Sequence, residues 1–199
     1  MRKAGPVALL LAFVAAGAFV VGRQSASAPA PAAPPLAAPS APVVPIAVDT
    51  AEARVYFSPR GGCTDAVVAE LDKARESVLI QAYSFTSDRI AKAAMDAHRR
   101  GVKVRAILDK SQRSEKYSEL DFLARAGVPT RVDARHAIAH NKVMVIDGEV
   151  VITGSFNFTK AAEEKNAENL LIVRDRKLAE VYAKNWREHE AHAEAYAAK

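Results

Sequence analysis

The sequence predicts an α/β domain, a mixed β-sheet flanked by helices on both faces. Three observations carry that prediction. Short apolar runs at 77–85, 102–108 and 168–173 are separated by stretches of helical periodicity, the alternation expected of strands joined by helices. Residues 143–146 and 150–152 are two further apolar runs, too short for helices and without polar alternation, joined by Asp147-Gly148, a strong antiparallel hairpin signal. The amino-terminal quarter differs in composition from the remainder, which leaves one domain of about 150 residues.

Along the chain, Met1-Arg2-Lys3 supplies a positive start and residues 7–21 an almost unbroken apolar run, the layout of a secretory leader. Ser25-Ala26-Ser27 offers small residues for cleavage, and an uncleaved stretch over 4–22 is long enough to act as an anchor. Residues 28–45 are Ala and Pro with hardly a charge, so they cannot pack a core and read as an extended, semi-rigid spacer. The expected organisation is therefore a signal peptide or membrane anchor at 1–27, a linker at 28–49 and a domain at 50–199, delivered to the periplasm or secreted.

Within the domain, 54–57 reads as a strand and 59–62 as a loop. Residues 64–75 form a helix with Thr64 as its cap and Val67, Val68 and Leu71 on its apolar face. After the strand at 77–85, residues 88–100 form a helix capped by Ser87 and stopped by Gly101. A strand follows at 102–108, then a helix over 114–126 ending at Gly127, and a short strand at 130–132. Beyond the hairpin come a helical turn at 159–164, the strand at 168–173, and a last helix capped by Asp175 that runs almost to the terminus.

Composition bounds the partners. The chain has 28 Lys and Arg against 23 Asp and Glu, formally +5, but Arg2, Lys3 and Arg23 lie in or beside the leader, and without them the surplus is two. Net charge alone therefore does not name a polyanion as partner. Cys63, the single cysteine, excludes an internal disulfide and a thiolate zinc site, and reads as a buried or idle thiol.

The hairpin holds the chemistry. A two-residue turn at Asp147-Gly148 sets Ile146 against Glu149, and counting outward puts His140 opposite Ser155 and Lys142 opposite Thr153. Strand alternation then places His140 and Lys142 on one face, with Ser155 and Asn157 on the same side. An imidazole that can attack phosphorus, an ammonium, a hydroxyl and an amide form a set suited to a phosphodiester.

His140-x-Lys142, four residues, Asp147, six residues, Gly154-Ser155-x-Asn157 is similar to the motif of the phospholipase D superfamily, with every place filled. Residues 81–87 (QAYSFTS), 100–109 (RGVKVRAILD) and 166–169 (NAEN) resemble segments of the small secreted endonucleases of that superfamily, so the likeness extends from Val55 to about Trp186. The resemblance implies a metal-independent, cofactor-free enzyme with one motif per chain and a homodimer whose paired motifs build one active site. It implies His140 as the nucleophile that forms a phosphohistidine, with Lys142, Ser155 and Asn157 as catalytic phosphate ligands. Glu168 is implied to orient the imidazole by accepting a hydrogen bond, an ordinary surface glutamate being the alternative. Asp147 and Gly154 are structural members of the motif, Asp147 holding the hairpin from its turn. Cardiolipin hydrolases of the mitochondrial surface resemble the chain too, but their cysteine-rich zinc module has no counterpart here.

Other residues carry plainer expectations. His136 precedes His140 by four, a spacing without ligand geometry on a strand or loop, and is read as no metal ligand. His98, His189 and His192 are expected on solvated helical surfaces. Arg99, Arg100, Lys103 and Arg105 open a basic stretch that runs on to Lys110, Arg113 and Lys116, and that either lines a groove for a nucleic-acid backbone or is a solvated surface. Tyr83 and Phe85 read as sheet packing. The expected activity is a nonspecific endonuclease acting on DNA, and on RNA as a further substrate. The first rival is a phospholipase D hydrolysing phosphatidylcholine or a related phospholipid to phosphatidate, which shares every catalytic residue; the second is a non-catalytic, envelope-tethered binding module. Size favours the nuclease, because a second motif and long insertions are absent.

Overall fold

β-Branched runs become strands here because helices can cover them on both sides. A computed structural model describes residues 52–198; the leader and linker expected at 1–27 and 28–49 lie outside the described residues. The elements in order are β1 (Glu52–Ser58), α1 (Cys63–Lys73), β2 (Ser77–Ala82), α2 (Asp88–Arg99), β3 (Lys103–Asp109), a 3-10 turn (Lys110–Arg113), α3 (Leu120–Arg125), β4 (Thr130–Asp133), β5 (Lys142–Ile146), β6 (Val150–Gly154), α4 (Lys160–Glu164), β7 (Glu168–Arg174), α5 (Arg176–Glu190) and β8 (Glu194–Ala195). The strands make one sheet in the order β1-β7-β6-β5-β2-β3-β4-β8. β2, β3 and β4 run parallel, and the remaining pairings are antiparallel.

Side-chain alternation divides the sheet into two buried faces. Val78, Ile80, Val104, Met144, Ile146 and Ile152 meet α1 to α4 through residues such as Leu71, Ile90, Leu123 and Ala162. Leu79, Ile107, Val143, Val145 and Val151 meet α5 through Ala179, Ala183 and Trp186. Each such aliphatic side chain removed from water contributes about 1.5–3 kcal/mol, and this two-sided burial explains why β5 shows no polar alternation. Trp186 adds direction, since its indole Nε1 donates to the Ile80 carbonyl at 2.9 Å and fixes where α5 crosses the sheet.

Local expectations hold in places and fail in others for definable reasons. Ser87 and Asp175 cap their helices as expected, accepting from the N–H of Ile90 at 3.4 Å and of Leu178 at 2.8 Å. Thr64 is not the cap of α1. The helix starts at Cys63, and the Glu163 carboxylate, brought in by α4, accepts from the N–H groups of Gly62 at 3.0 Å and Thr64 at 2.7 Å. The long helix expected over 114–126 shrinks to Leu120–Arg125, because the Glu119 N–H docks on the Phe85 carbonyl at 2.9 Å and Asp109 caps a separate 3-10 turn. The last helix stops at Glu190, and the chain then adds β8 to the edge of β4, a strand of two residues that no periodicity announces.

The hairpin departs from expectation by one residue. Asp147 (φ 54°) and Gly148 (φ 63°) turn the chain, and the Glu149 N–H donates to the Ile146 carbonyl at 3.0 Å. Yet the ladder partner of Ile146 is Val150, so Glu149 is an extra residue outside the register. Its carbonyl accepts from the Asp175 N–H at 2.8 Å and its carboxylate pairs with Arg174 at 3.3 Å and with Arg176, which draws it toward the β7–α5 junction. Continuing the observed register puts Lys142 level with Gly154 rather than Thr153, and His140 level with Phe156 rather than Ser155.

Candidate active site

Strand direction decides which residues can meet. Ala82, the last residue of β2, pairs with Leu108 near the end of β3 and with Lys142 at the start of β5, so these three strands share one rim of the sheet. The motif assembles on that rim from separate strand ends, not on one face of the hairpin.

Lys142 is 7 % exposed, and its Nζ donates to the His140 carbonyl at 2.9 Å and lies 5.1 Å from the centre of the Tyr83 ring. Burial pushes its ammonium below the ordinary lysine value, opposed by the Glu168 carboxylate. An ammonium donates up to three hydrogen bonds, and among the described residues this one donates to a single acceptor, so donors are left over for an anion. The His140 side chain is exposed, stacks at 50° on Tyr83 with the rings 4.6 Å apart, and has no hydrogen bond from its ring among the described residues.

Across the rim, Gly154 ends β6 at φ 143°, passing so close to β7 that a Cβ there would lie 2.3 Å from the Asn169 carbonyl oxygen. That approach lets Ser155 Oγ accept from Asn169, at 3.0 Å from its N–H and 3.3 Å from its amide Nδ2. Phe156 and Phe158 are buried in the larger core, so Ser155 and Asn157, which alternate with them, are turned away from it. The Asn157 side-chain Oδ1 is buried without a hydrogen-bond partner. Glu168 opens β7, but its Oε1 accepts from Asn166 Nδ2 at 3.1 Å and no hydrogen bond joins it to His140; its charge acts on Lys142.

Asp147 sits at the opposite rim. Its carboxylate accepts from the N–H groups of Arg75 at 3.0 Å, Glu76 at 2.8 Å and Ser77 at 2.9 Å, so it ties the turn to the α1–β2 connection rather than bracing the hairpin internally. A cleft of about 580 Å³ lies at this end, lined by Lys73, Asp147, Glu149 and Arg174, and it is remote from His140.

The basic stretch and two of the histidines lie where residue types alone did not place them. Arg99, Arg100, Lys103 and Arg105 do not flank the motif, because they sit at the end of α2 and the start of β3, on the Asp147 side. Arg100 donates to the Leu71 carbonyl at 2.8 Å, and Arg105 pairs with Glu190 at 2.8 Å while lying 4.6 Å from the centre of the Trp186 ring. His189 and His192 are not solvated: with His136 they surround the fully buried Asp133. Sequence reading also missed Tyr83 and Asn169 as members of the rim. Their signal was present in the segments 81–87 and 166–169, but nothing in the residue types distinguished them from packing. Cys63 is buried, and burial together with Glu163 pushes its thiol up to about 11, so it is an inert neighbour.

Comparison with known proteins adds to this geometry. Residues 67–189 match the family described as cardiolipin synthase, PLD-like domain. The chain is 48 % identical over 130 residues to Phospholipase D of Rickettsia felis, covering 65 % of each, and 35 % identical over 122 residues to mitochondrial cardiolipin hydrolase of Xenopus tropicalis, covering 59 % of this chain and 58 % of the relative. It thus spans less than two thirds of the length of these curated relatives. Among solved structures it is similar to Nuc of Salmonella typhimurium, a phospholipase D family member, with a TM-score of 0.72 and 36 % identity over 74 % of this chain and 99 % of that one. The family match runs from α1 into α5 and takes in every residue from His140 to Asn157, so the chain belongs to the phospholipase D superfamily through a PLD-like domain.

Proposed function

We propose that the domain is a phosphodiesterase that works through a phosphohistidine, and that its substrate is nucleic acid cut with little regard to sequence. The observation that carries this reading is the buried Lys142 ammonium with unused donors beside an imidazole that rests on Tyr83 and makes no ring hydrogen bond among the described residues. His140 would attack phosphorus, forming an N–P bond as the P–O bond to the leaving alcohol breaks. Water would then attack phosphorus, and the N–P bond would break to regenerate the imidazole. Lys142, Ser155 and Asn157 would hold the charge on the non-bridging oxygens, a cationic side chain standing where other phosphodiesterases place a metal ion.

The leaving oxygen needs a proton, and the chain offers no second imidazole for it. Of the five histidines, His136, His189 and His192 are engaged around Asp133, and His98 lies on α2 with its Nδ1 buried. A homodimer supplies the missing acid by placing His140 of each chain across a two-fold axis, one as nucleophile and one as acid. The edge strand β1 supports this assembly, since Val55 and Phe57 are 53 % and 66 % exposed and Phe57 is paired with Asn169, the residue that holds Ser155. The leader-like residues 1–27 support delivery to the periplasm or beyond, with 4–22 as a tether if they are retained.

Nucleic acid is put first because residues 81–87, 100–109 and 166–169 resemble the small secreted endonucleases of the superfamily and because Nuc is matched over 99 % of its length. A phospholipase D activity is the second reading. It is favoured by the 48 % identity to Phospholipase D and by Ile138, 55 % exposed two residues before His140, where a lipid could rest. The test is incubation of purified wild-type and His140→Ala protein with plasmid DNA, RNA and phosphatidylcholine, side by side in EDTA. Nucleic-acid cleavage lost in a folded His140→Ala variant supports the proposal; cleavage of lipid alone moves it to the second reading. In mixtures refolded from wild-type and His140→Asn chains, activity should follow the square of the wild-type fraction, whereas a linear dependence would abolish the shared-site mechanism.

A further inference from the structure

Asp133 ends β4 completely buried, and three imidazoles converge on one of its oxygens: His136 Nδ1 at 3.1 Å, His189 Nδ1 at 2.7 Å and His192 Nε2 at 3.2 Å from Oδ2. The other oxygen, Oδ1, accepts from the Arg135 N–H at 3.1 Å and lies 3.3 Å from His136 Nδ1. One nitrogen from each ring and one carboxylate oxygen lie within 4.8 Å of one another. Among the described residues no arginine or lysine forms an ion pair with this carboxylate; Lys110 donates instead to the His136 carbonyl at 3.0 Å. A buried carboxylate whose side-chain partners are imidazoles is costly unless a cation balances it, and three rings within 3.2 Å of a single oxygen is more than hydrogen bonding to a carboxylate requires.

We propose that Asp133, His136, His189 and His192 form a structural site for one zinc-class divalent ion. Zinc bonds to imidazole nitrogen and carboxylate oxygen are about 2.0–2.2 Å, which sets the corners of a tetrahedron about 3.3 Å apart. The nitrogen-to-oxygen separations of 2.7–3.2 Å are shorter than that spacing and the four ligand atoms lie within 4.8 Å of one another, so an ion enters as the rings and the carboxylate draw around it. Four protein ligands fill a tetrahedron and leave no open position, the mark of a structural rather than a catalytic centre. The set is two pairs, Asp133-x-x-His136 after β4 and His189-x-x-His192 at the end of α5. An ion there joins the carboxyl-terminal segment to the β4–β5 connection, the same connection that delivers His140 four residues later. His136, with 44 % of its side chain exposed, gives the ion a path from solvent.

The experiment uses the full chain without an affinity tag, stripped with EDTA, and zinc delivered against a chromophoric chelator. One zinc per chain is expected, with cobalt giving the intense visible absorption of a tetrahedral site. At zinc a hundredfold above its Kd, Tm should rise by roughly 5–10 °C. His136→Ala should lose the uptake and the Tm rise while its zinc-free Tm stays near wild type, because that ring is half-exposed; His189→Ala should lose the uptake as well. His140→Ala should keep both. No stoichiometric uptake by wild type, uptake that persists in His136→Ala and His189→Ala, or uptake lost in His140→Ala each overturns the proposal. Cleavage assays in EDTA run below the zinc-free Tm keep this test separate from the metal-independent mechanism, since loss of a structural ion there leaves a folded enzyme.

Discussion

Gly154→Ala tests the rim at its tightest point. The glycine lies at φ 143°, and an added Cβ would meet the Asn169 carbonyl oxygen at 2.3 Å, its Oδ1 at 2.9 Å and its carbonyl carbon at 3.1 Å. The backbone conformation alone costs an L-residue about 1–3 kcal/mol. Forcing a methyl against main chain that is locked in the β6–β7 ladder adds about 1–3 kcal/mol, for a total of about 2–6 kcal/mol. In a domain of this size that lowers Tm by roughly 5–20 °C. Gly101→Ala is the control: its φ is 96° but nothing lies within 4 Å of the added carbon, so it pays only the conformational part. The difference between the two variants in urea melts followed by circular dichroism isolates the steric part. Activity should report it as well, because Asn169 grips Ser155 through two hydrogen bonds, and displacing a catalytic group by about 1 Å costs on the order of a hundredfold. Equal stability of Gly154→Ala and Gly101→Ala would show that the close approach of β6 to β7 is not a constraint, and the account of how Ser155 is placed would fall with it.

Asp147→Ala should destabilise the domain by about 2–3 kcal/mol, because three backbone N–H groups lose a charged acceptor at a partly exposed site, and Asp147→Asn should cost less. Turnover below the melting temperature should be unchanged; a folded Asp147→Ala protein with a hundredfold activity loss would contradict its placement on the far rim. Glu70 supplies a pH dependence. Burial pushes its carboxyl up, but Arg54 at 2.8 Å and Lys73 at 3.0 Å outweigh burial and hold it below its ordinary value of 4.5. A depressed folded value means that its contribution is present above about pH 4.5 and lost as pH falls through the folded value. Unfolding free energies of wild type and Glu70→Gln from urea melts, separated by about 1.5–3 kcal/mol at pH 7, should therefore converge toward pH 3; a gap independent of pH would remove Glu70 as the source.

Which parts of this molecule could be read from its residues follows from how local their causes are. Ser87 and Asp175 were legible as caps because a side chain and the N–H it accepts from lie three residues apart. Thr64 misled because the true cap of α1, Glu163, lies about a hundred residues away in sequence. The catalytic set was legible from its spacing, yet the geometry inferred for it was one residue out of register. The cause was Glu149, whose partners Arg174, Asp175 and Arg176 no local rule can name. His136, His189 and His192 illustrate the limit most clearly. Each alone looks like a surface histidine, and only the folding of the carboxyl-terminal segment onto β4 reveals Asp133 as their common partner.

The sheet order has a temporal consequence. Its first strand, β1, finds its partner in β7, with Glu52 against Arg174, and the opposite edge is sealed when Ala195 reaches Arg131. During synthesis both borders stay open until nearly the whole domain has left the ribosome, and loop closure over such separations is slow. Val55 and Phe57 then wait on an unpaired strand, the kind of surface that seeds association between nascent chains. Ribosome-bound chains stopped before β7 should accordingly be protease-sensitive along β1, and those extended past β8 resistant.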